Sequence, residues 1–110
     1  MSAPFRPALR WHGGKWLLAP WIISHFPKHQ VYVEPFGGAM SVLIRKPVSY
    51  AEIYNDLDKA VVNFFRVLRS ARAQDLIEAL RLTPFAREEF VEAYAESDDP
   101  VEQARRLVIR

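Results

Sequence analysis

The chain of 110 residues is half hydrophobic and one-quarter charged, carries a formal net charge of +2 and contains no cysteine. That balance suits one small globular domain, excludes disulfides and thiolate metal sites, and is too mildly basic to argue by itself for a nucleic-acid partner. No apolar run approaches the roughly 20 residues a bilayer-spanning helix needs and the opening residues lack the pattern of a secretory signal, so the expectation is a cytoplasmic protein with no membrane partner.

Residues 1–10 hold two prolines and two arginines without a clear period. They lead into Arg10-Trp11-His12-Gly13-Gly14-Lys15, where the adjacent glycines mark a tight turn. A short helix follows, with Pro20 near its first turn, where a missing N–H costs nothing. Trp21, Ile22 and Phe26 give it an apolar face and Pro27 ends it. Val31-Tyr32-Val33 reads as a buried strand running into Glu34-Pro35-Phe36-Gly37-Gly38. Ala39 to Arg45 then reads as a helix with Met40, Leu43 and Ile44 on one face, broken by Pro47. Ser49 to Tyr54 reads as a second strand, ending in Asn55-Asp56-Leu57-Asp58.

From Lys59 the period becomes helical, with Val61, Phe64, Phe65 and Leu68 at successive turns. Leu76, Ile77 and Leu80 mark another helix. Thr83-Pro84 reads as an N-cap followed by proline at the first helical position, opening a helix that presents Phe90, Val91 and Tyr94. Asp99-Pro100-Val101-Glu102 opens a last helix, with Asp99 as cap and Glu102 at the third position. Its stripe is Val101, Ala104, Leu107 and Val108, and no stop signal closes it before Arg110. A truncated chain and a natural terminal helix are equally open on that pattern.

Among other tempting residues, Trp16 and Trp21 are most simply core. His12, His25 and His29 lack metal-ligand spacing, and no metal is expected. Arg105, Arg106 and Arg110 read as a solvated helix face, with phosphate contact as the alternative. Asp58 suits either support for the preceding loop or an N-cap.

Strand, Gly37-Gly38 loop, helix, strand and acidic residue make up the first half of a nucleotide-binding unit. Glycine after the strand lets the backbone approach a ligand that a Cβ would block. Asp56, eighteen residues beyond Gly38, stands where an acidic side chain can accept from both ribose hydroxyls. The loop lacks Gly-x-Gly-x-x-Gly, and Glu34 beside it would repel a phosphate while suiting a cation. S-adenosylmethionine, a sulfonium with an amino-acid tail, fits better than a dinucleotide. Read alone, the glycine pair is equally a tight strand-to-helix turn. Gly13-Gly14-Lys15 is not a phosphate loop, because Leu9 and Trp16 stand where that motif needs glycine and a hydroxyl. Lys15 instead suits the carboxylate of the methionine tail. Trp11 is open between packing on the ligand and anchoring the helix that follows.

Together, Arg10-Trp11-His12-Gly13-Gly14-Lys15, Val33-Glu34-Pro35-Phe36-Gly37-Gly38-Ala39 and Asn55-Asp56-Leu57-Asp58 resemble the N-terminal region of DNA adenine methyltransferases of the bacterial and phage type that includes the GATC methylase. The resemblance is strongest over residues 8–70 and weaker through Arg87-Glu88-Glu89-Phe90 and Asp99-Pro100. It implies an α/β chain with a partial Rossmann-like S-adenosylmethionine-dependent methyltransferase fold and a C-terminal helical segment. Residues 1–82 would be the incomplete cofactor-binding region and 83–110 the start of the helical DNA-recognition segment. It also implies cofactor contacts from Trp11, Gly14, Lys15, Glu34, Pro35, Phe36, Gly37, Gly38, Asp56 and Leu57. The implied reaction is transfer of a methyl group from S-adenosyl-L-methionine to the exocyclic amine of adenine in double-stranded DNA, with the base flipped from the duplex.

Two departures qualify the resemblance. The family's catalytic Asp/Asn-Pro-Pro-Tyr/Phe tetrapeptide does not occur in this sequence, so no catalytic residue is assigned. Ala39-Met40 stands where a small pair such as Ala-Gly is usual. Two expectations therefore remain: a fragment of a methyltransferase that is inactive alone, or a non-catalytic remnant that binds the cofactor or serves as an interaction module.

Overall fold

The computed structural model describes residues 3–110. The elements in chain order are α1 (Ala19–Ser24), β1 (Val31–Glu34), α2 (Ser41–Arg45), β2 (Ala51–Tyr54), α3 (Lys59–Leu68), α4 (Ala73–Arg81), α5 (Arg87–Glu92) and α6 (Pro100–Ile109). The chain divides into two compact units, one reaching to Leu57 and the other running from Asp58 to Arg110.

In the first unit, β1 and β2 pair in parallel, with Val31 opposite Ala51, Tyr32 opposite Glu52, Val33 opposite Ile53 and Glu34 opposite Tyr54. Parallel neighbours need a crossover, and here the glycine loop and α2 supply it. Side chains alternate along a strand, so Tyr32, Glu34, Glu52 and Tyr54 share one face and Val31, Val33 and Ile53 share the other. Those three apolar residues are each about half exposed.

Pro20 occupies the first turn of α1, as the sequence suggests. The apolar side of this helix differs from expectation. Ala19 is its buried residue, whereas Trp21 is 65% exposed and lies with its ring 4.6 Å from that of His25. Trp16 is half-buried beneath the Arg45 guanidinium. Likewise α2 starts at Ser41 rather than Ala39, because Met40 is left-handed with φ 59°. A non-glycine residue there costs about 1–2 kcal/mol. The helix consequently buries Ser41 and Val42, leaving Met40, Leu43 and Ile44 half-buried.

The second unit is helical. Asp58 caps α3 by accepting from the Ala60 N–H at 2.9 Å. Val61, Phe64, Phe65 and Val67 are buried. Asp99 caps α6 by accepting from the Glu102 N–H at 3.2 Å, with Pro100 in the first turn. Val101, Ala104 and Leu107 turn inward on α6, which packs on α3, α4 and α5. The cap expected at Thr83 is not formed. Pro84 to Ala86 are non-helical, Ala86 is the extended residue before α5, and the Thr83 hydroxyl donates back to the Ala79 carbonyl at 2.8 Å. Phe90, Val91 and Tyr94 are exposed.

Arg105 fastens this region. Its guanidinium reaches Glu102 at 2.7 Å, Glu89 at 3.1 Å and the Thr83 hydroxyl at 3.1 Å. Arg106 also joins Glu102, at 2.9 Å. These two arginines are thus half-buried and engaged in ion pairs rather than lying on a freely solvated face. Among the described residues, no helix is long and apolar enough to cross a membrane, and no three His, Asp or Glu side chains gather as a metal site.

Candidate functional site

The carboxyl end of β1 opens into a cleft of about 450 Å³. Eight of the residues expected to contact a cofactor line it: Trp11, Gly14, Lys15, Glu34, Pro35, Phe36, Gly37 and Gly38. Asp56 and Leu57 do not. Leu57 is 85% exposed, while Asp56 stands behind the loop, its carboxylate accepting from the Gly38 N–H at 2.9 Å. His12, Tyr32 and Ser41 line the cleft as well, and sequence reasoning did not assign them there.

The loop is stitched to the end of β2. Gly37 N–H donates to the Asn55 carbonyl at 2.9 Å, Asn55 N–H donates to the Glu34 carbonyl at 2.8 Å, and the Tyr54 hydroxyl donates to the Gly38 carbonyl at 2.6 Å. Both glycines are sterically required. A Cβ on Gly37 would overlap the Tyr54 ring, and one on Gly38 would lie 2.8 Å from the Trp11 indole, with φ at +51° besides. Trp11 therefore packs directly on the glycine loop. The turn that carries it closes through a bond of 2.9 Å from Gly14 N–H to the Trp11 carbonyl, and Lys15 Nζ donates to the Gly13 carbonyl at 2.8 Å.

Glu34 is the unusual group. One of its oxygens, Oε2, accepts from the Tyr32 hydroxyl at 2.7 Å and from the Leu43 N–H at 2.8 Å. The other, Oε1, is the one buried side-chain polar atom among the described residues with no hydrogen-bond partner. A buried acceptor left without a donor costs roughly 1–3 kcal/mol, and such a defect is a place where a ligand donor can bind with gain. Burial pushes the Glu34 carboxyl above the ordinary carboxylate range, against the opposing pull of Tyr32, Leu43 and Lys46. Burial, followed by the Glu34 carboxylate, raises the Tyr32 hydroxyl far above its normal value.

The sign of the stability effect follows. A carboxyl that is harder to ionise in the folded state destabilises the fold once pH rises past its unfolded pKa. Glu34→Gln is therefore expected to raise the melting temperature of the ligand-free chain at pH 7–8. The gain should shrink as pH falls through the interval between the folded and ordinary values, and parallel melting scans from pH 4 to pH 8 measure it. A mutant less stable than wild type at pH 8 would show that the ionised carboxylate is well solvated.

In α/β proteins ligands bind at the carboxyl ends of parallel strands, which is where this glycine loop and its cleft lie. Comparison with known proteins narrows the class. Residues 11–110 match the family described as D12 class N6 adenine-specific DNA methyltransferase, and the chain belongs to that family. It is 31% identical over 107 residues to a DNA adenine methylase of Escherichia coli K12, taking in 90% of this chain and 37% of the relative. It is 34% identical over 83 residues to a DNA adenine methylase of Serratia marcescens, taking in 76% of this chain and 30% of the relative. The chain thus spans about a third of the length of the curated relatives it matches.

Proposed function

We propose that this chain carries the S-adenosyl-L-methionine-binding part of an enzyme that methylates the exocyclic amine of adenine in double-stranded DNA. The observation that carries the reading is the convergence of Trp11, Lys15 and the Glu34–Gly38 loop on one cleft, in a chain belonging to an adenine-specific DNA methyltransferase family. When bound, the cofactor supplies a methyl group already activated by its sulfonium, so the protein's task is orientation and electrostatics.

The residues present fit that group. Glu34 Oε1 offers a buried acceptor to a cationic or N–H donor group. Gly37 and Gly38 let the loop lie against the Tyr54 ring and the Trp11 indole, which fill the space a Cβ would need, and both glycines line the cleft. Lys15 supplies a positive charge for a carboxylate, and Trp11, Pro35 and Phe36 supply apolar surface. The ribose contact assigned to Asp56 rests on its place after β2, since Asp56 and Leu57 stand outside the cleft lining. Gly14 keeps the turn before Lys15 tight. In this reading the parallel β1–β2 pair is the opening of a Rossmann-like sheet. Residues 1–82 form the cofactor region and 83–110 begin the segment that reads DNA.

The reading assigns no base-holding or methyl-transfer residue to this chain. Equilibrium dialysis with radiolabelled S-adenosylmethionine, together with a filter assay for labelled DNA, tests it. Saturable one-to-one binding without transfer to DNA is the expected pair of results. No saturable binding up to millimolar cofactor would replace the reading with that of a remnant that keeps the fold alone.

A further inference from the structure

The cleft carboxylate does not hold its orientation unaided. Tyr32 and Glu34 lie two residues apart on the same face of β1, and the Tyr32 hydroxyl donates to Glu34 Oε2 at 2.7 Å. The Tyr32 ring is itself fixed. On one side the Lys46 ammonium sits 4.7 Å from its centroid. Elsewhere the rings of Phe26 and His29 lie 5.5 and 6.2 Å away. The Lys46 side chain is 1% exposed and its ammonium is satisfied by Glu52 at 2.8 Å, the Ser49 hydroxyl at 2.6 Å and the Pro47 carbonyl at 2.7 Å. Glu52 is the residue opposite Tyr32 in the strand pairing.

Burying the Lys46 ammonium under an aromatic ring costs desolvation that its ion pair and hydrogen bonds offset, and it fixes where the Tyr32 ring lies. The chain Glu52–Lys46–Tyr32 sets one donor on Glu34 Oε2 and the Leu43 N–H sets the other, which leaves Oε1 buried beside Gly37 without a partner, on a residue that lines the cleft. We propose that Tyr32 is a positioning residue for ligand binding, holding Glu34 so that Oε1 is presented as the acceptor for a cationic group. This rests on the reading of the cleft as the S-adenosylmethionine site.

The effect passes through ionised Glu34. The charged or titratable groups around that carboxylate are Tyr32 on its own strand, Lys46, Glu52 and Tyr54 from the elements packed against it, and His12 and Lys15 on the cleft wall. Of these, the Tyr32 hydroxyl is the group that hydrogen-bonds to it. Tyr32→Phe keeps the ring over Lys46 and removes that one donor. Its loss makes the carboxylate harder to ionise, so a binding curve that requires the ionised form moves to higher pH.

Two measurements on the 110-residue chain test the proposal. The first is the Kd for S-adenosylmethionine by calorimetry between pH 5 and pH 8. Tyr32→Phe should weaken it about tenfold near neutral pH, the size of one hydrogen bond to a charged group, and shift its acidic limb upward. The thermal midpoint should fall by several degrees as well, so affinities are compared at a temperature where both proteins are folded. The second is the NMR titration of the Glu34 side-chain carboxyl without ligand, which should show a higher pKa in Tyr32→Phe. A cofactor Kd and acidic limb equal to those of wild type would overturn the proposal. Should wild type itself fail to bind the cofactor, the parent reading falls, and an unchanged Glu34 titration in Tyr32→Phe would then sink the positioning role separately. Lys46→Met combined with Glu52→Gln frees the ring without touching the hydroxyl. It should move the same two readouts in the same direction, and no movement there would overturn the part assigned to the ion pair.

Discussion

Asp56→Ala is expected to weaken binding of S-adenosylmethionine by at least about 100-fold, the largest effect of any single substitution in the first unit, although Asp56 stands outside the cleft lining. Two losses combine. The carboxylate accepts from the Gly38 N–H at 2.9 Å, so it shapes the loop from behind before any ligand arrives. In the proposed complex it also accepts from the ribose. Hydrogen bonds to a charged group contribute roughly 1.5–3 kcal/mol each, and every 1.4 kcal/mol is tenfold in affinity. Calorimetric titration of wild type, Asp56→Ala and Asp56→Asn at one pH should give three separated affinities, with Asn between. A Kd for Asp56→Ala within threefold of wild type would remove Asp56 from the site.

The largest effect on stability is expected from Leu76→Ala. Leu76 is 1% exposed and is one of the two largest fully buried side chains, with Val61. Its helix, α4, packs on α3 and α6. Truncating a buried leucine to alanine costs roughly 2–5 kcal/mol, through lost transfer energy plus the cavity left behind. A unit running only from Asp58 to Arg110 has little stability in reserve. For a domain of this size each kcal/mol shifts the midpoint by about 4–8 °C, so a fall of at least 10 °C is expected in the helical signal at 222 nm. Ile77→Ala, the next residue and 46% exposed, serves as the control and should move the midpoint by far less. Equal shifts for the two would mean that α4 does not bury Leu76 in solution.

What the sequence revealed follows from how local each signal is. The caps at Asp58 and Asp99 involve side chains bonding two or three residues ahead, and both are readable from composition alone. The α3 period and the positions of the two strands are local as well. The burial expected of β1 is not, for Val31 and Val33 are about half exposed, and β2 begins at Ala51 rather than Ser49. Thr83 misled because its hydroxyl has a local alternative, the carbonyl four residues back. Bonding there completes α4 and leaves Pro84 to Ala86 outside a helix. Trp21 misled because a helix of only six residues offers too little period to separate the buried side from the open one.

At the site, the glycine loop and Trp11 were legible as a linear pattern. The roles of Tyr32 and Lys46 were not, because they depend on strand register and on which residue of β2 faces which residue of β1. Met40 lay between these cases. The unusual residue was visible in the sequence, but the left-handed backbone that makes glycine the natural occupant was not.

The ion-pair cluster on α6 has a practical use. Arg105, then Arg106, holds the Glu102 carboxyl at about 2. A depressed carboxylate contributes its full stability above its ordinary value of 4.5 and loses it only as pH falls from there toward 2. The helical unit is thus indifferent, through this cluster, to every buffer between pH 5 and pH 8. The cleft carboxylate shifts the opposite way and takes up its proton nearer neutrality than a solvated glutamate would. One molecule therefore carries a sensor and its own internal reference. Followed residue by residue on mild acidification, the Glu34 carboxyl reports the cleft and the Glu102 carboxyl stays ionised as the reference.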